Sequence, residues 1–227
     1  MKRTVKVLIW DLPIRVFHWG FAGSLIASLY LGTYYHPEGD VFKFHMLCGI
    51  LAGVFLVMRL FLGFIGSRHY RWRHYLVSPW KLGCYVVDTI RGVQHSQAEV
   101  NPGTACVSVL MYLTLGGLLW TGFTPDLVEV WHARLANVLI SLIVLHLGGL
   151  ILQTLRHRDP IALAMVTGRK QAPQDDAIGQ PHSVVGWVLL VVSLLILAVL
   201  FYYFDTNTAR LSVPMLPAID FPEMQKG

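Results

Sequence analysis

The chain has 227 residues, of which 55% are hydrophobic and 14% are charged, and its formal net charge at pH 7 is +5. This apolar share exceeds that of an ordinary soluble domain, so the composition argues against a soluble enzyme and indicates a polytopic membrane protein. The basic residues flank the apolar stretches, so we attribute the positive charge to membrane topology and expect no nucleic-acid partner.

Five apolar stretches are each long enough to cross a bilayer, whose hydrocarbon core takes about 20 residues of helix. In chain order they are Val16–Tyr35, Val41–Ile65, Thr104–Thr124, Val130–Leu155 and Val184–Phe204. The first stretch has the basic start of a signal peptide, but it is long and lacks a convincing small-residue cleavage site. We therefore expect it to remain as a span, in an all-α membrane fold that contacts lipid.

The links between these spans predict how the helices are arranged. Short links join the first span to the second and the third to the fourth, the latter over residues 125–129, and short links produce antiparallel neighbours. We therefore expect a four-helix transmembrane bundle over residues 1–170. In the longer link between the second and third spans, residues 79–94 show helical apolar spacing after Ser78, which predicts an amphipathic cytoplasmic helix.

The rest of the chain extends beyond this bundle. Asp159-Pro160 predicts the start of a short helix that ends near Gly168. Residues 171–183 are expected to form a cytoplasmic loop, and residues 184–204 form the fifth span. The last segment, residues 205–227, contains three prolines and is expected to be an extended periplasmic tail.

Lysine and arginine are distributed unevenly between the two sides of the membrane. With a cytoplasmic N-terminus, the outer side holds only Lys43, Arg134, Arg210 and Lys226, and the other 14 of the 18 basic residues fall on the cytoplasmic side. The positive-inside rule therefore predicts a cytoplasmic N-terminus and a periplasmic C-terminus.

Four of the ten histidines lie inside the expected spans, namely His18, His45, His132 and His146. His132 and His146 are 14 residues apart on one helix, so they share a face and lie roughly 21 Å apart along its axis. Under the predicted orientation, His45 and His132 lie near the outer surface, and His18 and His146 lie near the inner surface. A histidine in a membrane helix is costly without a function or a partner, and each level has two, from two different helices.

Paired histidines at two levels are what two haems with bis-histidine ligation require. We therefore expect His45 and His132 to bind the iron of an outer haem, and His18 and His146 to bind that of an inner haem. The chain has no C-x-x-C-H sequence for covalent attachment, so both haems are expected to be b-type. A single histidine in an apolar helix is more often a packing residue, and it is the pairing by depth that favours ligation.

Haem propionates are anionic and need cationic or hydrogen-bonding partners. The candidates are the cations near each level, together with glycines after His45 that leave room for a porphyrin. They are Lys43 and Arg134 at the outer level, Arg15, Arg59 and His69 at the inner level, and Gly49 and Gly53 beside the ring. The alternatives are that the cations reach the lipid headgroups and that the glycines serve close helix packing.

Several runs of the sequence resemble one family. They are WDLPIRVFHW at residues 10–19, FH and CG within residues 44–49, RLFLGFIGSRH at residues 59–69, His132 with Asn137, His146, and AMVTGRK at residues 164–170. In order and spacing they are similar to bacterial cytochrome b561 proteins and to the b-type cytochrome subunits of nickel–iron hydrogenases. The resemblance covers about residues 8–170 and implies a four-helix di-haem cytochrome b with the four histidines as axial ligands.

The resemblance implies electron transfer between the quinone pool of the bacterial inner membrane and a periplasmic c-type cytochrome or oxidoreductase. The chain would then be an electron-transfer subunit of an oxidoreductase system. One alternative is a stand-alone superoxide:quinone oxidoreductase, in which Lys43 and Arg134 supply part of a cationic funnel. Another is a membrane anchor for a periplasmic enzyme, which the fifth span and the tail favour. A metal or haem transporter is disfavoured because the sequence has no inverted-repeat pattern.

Overall fold

A computed structural model describes residues 4–35, 39, 41–93, 101–157, 161–179, 181–205, 210–214 and 219–220. The α-helices are α1 Leu12–Tyr34, α2 Lys43–Ile65, α3 Trp72–Tyr75, α4 Pro79–Ile90, α5 Pro102–Gly122, α6 Pro125–His157, α7 Ala164–Thr167 and α8 Ser183–Tyr203. Three short 3₁₀ helices cover Arg68–Tyr70, Ile161–Leu163 and Gln174–Asp176. The strands are β1 Thr4–Leu8, β2 Arg169–Pro173, β3 Phe204–Asp205, β4 Arg210–Leu211 and β5 Ile219–Asp220.

Within the described residues, four helices are long and apolar enough to cross a membrane. They cover Lys43–Ile65, Pro102–Gly122, Val130–Arg156 and Ser183–Tyr203, which match the second to fifth expected spans. The first expected span lies in α1, which has 23 residues. This span is less apolar than the other four because it contains polar residues such as His18, Ser24 and Ser28. The chain is a multi-pass membrane protein, and the crossing of α1 stays a prediction.

The long helices pack in a chain of neighbours. Helix α1 packs along α2, α2 contacts α5, and α5 packs along α6, while α8 lies against α1. Phe17 and Phe21 from α1 pack with Phe55 from α2 and Leu115 from α5 in the main apolar core. Helix α8 also reaches α2, where Ser193 Oγ lies 3.8 Å from the Met58 sulfur.

The short helices agree with the sequence signals that predicted them. Helix α4 begins at Pro79, where the Ser78 hydroxyl accepts a hydrogen bond from the backbone N–H of Lys81 at 3.4 Å. Helix α7 ends at Gly168, whose φ of 77° is a left-handed conformation that glycine adopts without strain. A β-carbon there would also lie 2.5 Å from the Trp10 carbonyl oxygen. The predicted start of this helix at Asp159-Pro160 lies outside the described residues.

Two connecting segments that were expected to be loops differ from that expectation. Residues 171–173, expected in a loop, belong to β2, which pairs antiparallel with β1. After α8, strands β3, β4 and β5 pair in one small sheet, a pairing that the expectation of an extended tail did not include. Strands β1 and β2 come from distant parts of the chain, so local patterns do not reveal their pairing. Residues 125–129, expected in a loop, open α6, because proline suits the first turn of a helix.

Candidate functional site

His45 and His132, the pair expected at the outer level, lie side by side in the structure. His45 is in the first turn of α2, and His132 is in the third turn of α6. Their ring centroids are 6.1 Å apart, and the rings are inclined by 76°. Both side chains are partly buried, so the pair lies between helices rather than on the surface.

Hydrogen bonds fix the orientation of both rings. His45 Nδ1 lies 2.7 Å from the Ser28 carbonyl oxygen, which only accepts, so this nitrogen carries the proton. His132 Nδ1 lies 2.9 Å from Thr121 Oγ1, and the Thr121 hydroxyl donates to the Gly117 carbonyl, so it accepts from His132. In both rings Nε2 is left as the unprotonated nitrogen, which is the form that binds a metal.

Glycine makes room for the His45 ring on α1. A β-carbon on Gly32 would lie 2.8 Å from both Cε1 and Nδ1 of His45, so any larger residue would push this ring aside. Sequence reasoning missed Ser28, Thr121 and Gly32. The available signal was a hydroxyl inside each apolar helix, which needs a hydrogen-bond partner there.

The spacing of the outer pair fits one metal ion between the rings. A metal–imidazole bond is about 2.0–2.1 Å long. Two such bonds, added to the distance from each coordinating nitrogen to the centroid of its ring, give roughly 6 Å between the two ring centroids. The observed centroid distance of 6.1 Å matches this span. Two neutral imidazoles without a carboxylate or thiolate are the axial donor set of a bis-histidine haem.

The inner pair, His18 on α1 and His146 on α6, is also brought together. The two imidazoles lie close enough for an electrostatic interaction. His146 Nδ1 is buried without a hydrogen-bond partner among the described residues, whereas hydrogen bonds orient both rings of the outer pair. The two pairs share α6, whose 14-residue separation of His132 and His146 places them roughly 21 Å apart along its axis.

Arg59 is fully buried, with an exposed fraction of 0%, which excludes the alternative that its side chain reaches the headgroups. Its guanidinium carbon lies 4.7 Å from the Trp72 ring centroid, 4.5 Å from that of Tyr75 and 5.7 Å from that of Tyr112. None of its three side-chain nitrogens has a hydrogen-bond partner among the described residues. Cation–π contacts offset part of the desolvation cost, but the buried charge lacks a counter-ion.

Tyr75 does not supply that counter-ion. Burial raises the pKa of Tyr75 to about 12, although the nearby Arg59 charge acts in the opposite direction. The phenol therefore stays neutral at physiological pH. Tyr112 also contacts Phe17, the residue before His18, with ring centroids 6.4 Å apart. Arg59 thus lies one aromatic residue away from the segment of α1 that carries the inner histidine.

The other predicted cations have different surroundings. Arg15 Nη1 donates to the Val166 carbonyl at 2.6 Å, and Arg134 is exposed with its guanidinium carbon 5.0 Å from the Trp131 ring centroid. His69 is buried, and its Nε2 donates to the Asp176 carbonyl at 2.8 Å, while its Nδ1 has no partner in the described part of the chain. Lys43 is partly buried beside Phe44 and His45 in the first turn of α2.

The two predicted pocket glycines face neighbouring helices. A β-carbon on Gly49 would lie 3.6 Å from Ser28 Oγ, the hydroxyl beside His45, and one on Gly53 would lie 3.1 Å from the Leu119 side chain. Gly49 therefore lies next to the outer pair, whereas Gly53 allows α2 to approach α5.

Comparison with known proteins identifies a family. A family model described as prokaryotic cytochrome b561 matches residues 9–168, which covers most of the chain and all four paired histidines. No curated protein matches the chain, and no solved structure matches it.

Proposed function

The chain belongs to the prokaryotic cytochrome b561 family, and we propose that it is a di-haem member that carries electrons between the membrane quinone pool and a periplasmic redox partner. As a member of this family, the chain is a membrane b-type cytochrome that takes part in electron transfer. The partner is a c-type cytochrome or an oxidoreductase subunit. The asymmetric distribution of lysine and arginine supports an inner-membrane location with the N-terminus in the cytoplasm.

The observation that carries the proposal is the outer pair. His45 and His132 lie 6.1 Å apart between centroids, and hydrogen bonds to Nδ1 leave both Nε2 atoms available. We assign these two as axial ligands of the outer haem, and His18 and His146 as those of the inner haem. A bound haem would supply an iron that carries one electron, and two protein ligands leave it no open position for substrate.

Cations and an imidazole near each histidine pair would hold the haem propionates. Arg59 is the strongest candidate at the inner haem because its buried guanidinium has no counter-ion among the described residues. His69, with a buried and unpartnered Nδ1, is a second inner candidate. Lys43 and Arg134 are candidates at the outer haem, since each is two residues from an axial histidine.

The full chain, purified with its cofactors in detergent, tests this proposal directly. We expect a reduced-minus-oxidised difference spectrum with b-type bands and a haem:protein ratio of two. A ratio clearly below two, or a spectrum without b-type bands, would contradict it.

Thr121→Val should weaken the outer haem while the fold is kept. Valine has nearly the shape of threonine but cannot accept the His132 Nδ1 hydrogen bond. Loss of such a hydrogen bond typically lowers metal affinity by about 10–100-fold, so we expect faster transfer of one haem to apomyoglobin. Thr114→Val is the matched control, because among the described residues the Thr114 hydroxyl bonds to the Leu110 carbonyl of its own helix and to no histidine. Equal haem loss from both variants would show that Thr121 does not position His132.

A further inference from the structure

We propose that the cavity between α1 and α8 is a binding site for a quinone or quinol. The cavity has a volume of about 560 Å³, which is in the range of small-molecule sites. Helix α1 contributes Arg15, Trp19 and Gly23, and α8 contributes Leu190 and Leu194. The inference rests on the proposed function, since it names where the quinone pool meets the protein.

The walls of this cavity are almost entirely apolar. The Trp19 indole N–H donates to the Met165 carbonyl at 3.0 Å, and the Ser193 hydroxyl donates to the Leu189 carbonyl at 2.7 Å. Arg15 is the one charged residue in the lining. A cavity with apolar walls and one guanidinium in its lining fits a ring with carbonyl oxygens followed by a prenyl chain.

Arg15 can act as the polar group of this site. A guanidinium has five N–H donors, and the described residues accept a hydrogen bond from one of its nitrogens, Nη1, which donates to Val166. Its Nε is buried beside Gly168, so the outer nitrogens are left to donate to a ligand. A guanidinium binds both carbonyl and phosphate oxygens, so we favour a quinone over a phospholipid because of where the cavity lies.

The cavity also lies next to the proposed inner haem ligand. Trp19 lines the cavity, and its ring centroid is 5.3 Å from that of His18, with the rings inclined by 81°. A single layer of side chains therefore separates a ligand in the cavity from the axial histidine. This proximity is what a site for electron exchange requires and what a site for a structural lipid does not.

The proposed site assigns a function to helix α8, which forms one wall of the cavity. Helix α8 spans Ser183–Tyr203, beyond the 9–168 segment that the family model covers. Leu190, Ser193, Leu194 and Leu197 from this helix close the cavity against α1. The site therefore depends on a helix that the four-helix unit does not contain.

Gly23→Leu tests the proposal by filling the cavity. A β-carbon on Gly23 meets no atom within 4 Å, so the added side chain enters open space rather than a packed helix contact. We expect binding of decylubiquinone to the haem-loaded protein to weaken about tenfold or more, and decylubiquinol to reduce the haem correspondingly more slowly. Gly83→Leu is the matched control, because Gly83 is an exposed helical glycine on α4 with the same open space around it.

Photolabelling of the wild-type chain gives a result that does not depend on any variant. An azido-substituted decylubiquinone should attach to peptides that contain residues 12–23 and 190–197. Labelling elsewhere, or unchanged quinone affinity in Gly23→Leu, would overturn the proposal. So would loss of a co-purified phospholipid from Gly23→Leu with quinone binding unchanged. In each case a haem:protein ratio of two with normal reduction by dithionite would leave the di-haem function itself standing.

Discussion

We expect His132→Ala to lose one haem and keep the other. His132 faces His45 across 6.1 Å between ring centroids, and alanine leaves the outer iron with a single protein ligand. The inner pair, roughly 21 Å away along α6, is untouched. The first measurement is the haem:protein ratio of the purified variant, which is expected to fall from two to one. The second is a redox titration, in which the remaining b-type bands should behave as a single component.

His146→Ala should give the complementary result, with the outer haem retained. His182→Ala is the control, because its side chain is exposed and its backbone N–H bonds to Asp11 regardless of the side chain. A His132→Ala variant that keeps both haems, or loses both with its helical content intact, would show that the ligand assignment is wrong.

Arg59→Met should have little effect on the haem-free protein and a large effect on the haem-loaded protein. Without haem, the desolvation cost of an unpaired buried charge is several kcal/mol, and three cation–π contacts of about 0.5–2 kcal/mol each offset much of it. Removing the charge should therefore change the free energy of unfolding by no more than about 1 kcal/mol. With haem, the same change removes the proposed partner of a buried propionate, which costs about 3–5 kcal/mol, or more than 100-fold in inner-haem affinity.

Haem content separates these outcomes. Arg59→Met should retain only the outer haem, and the double variant with His132→Ala should retain none. Arg59→Lys keeps the charge and should fall between wild type and Arg59→Met. Arg73→Met, which changes an exposed arginine on α3, should retain both haems. If Arg59→Met keeps two haems but is strongly destabilised without them, Arg59 is a packing residue of the Trp72–Tyr75 segment instead.

The sequence was sufficient for the features that depend on composition along a single helix. The apolar stretches of about 20 residues predicted the long helices, because the bilayer sets their length. The 14-residue spacing of His132 and His146 places both on one face, because the periodicity of a helix is fixed. Ser78 and Gly168 marked helix ends, because capping depends on a few adjacent residues.

Only the tertiary structure decided which groups from different helices meet. The sequence did not show that Ser28 and Thr121 hold the outer rings, or that Gly32 makes room for His45, because each contact joins two helices with many possible rotations about their axes. It did not show the pairing of β1 with β2, whose hydrogen-bond partners come from distant parts of the chain. The cavity between α1 and α8 likewise exists only where two helices leave a gap. A sequence fixes the order of residues along each helix, but the distance between two helices is set by how all of their side chains pack.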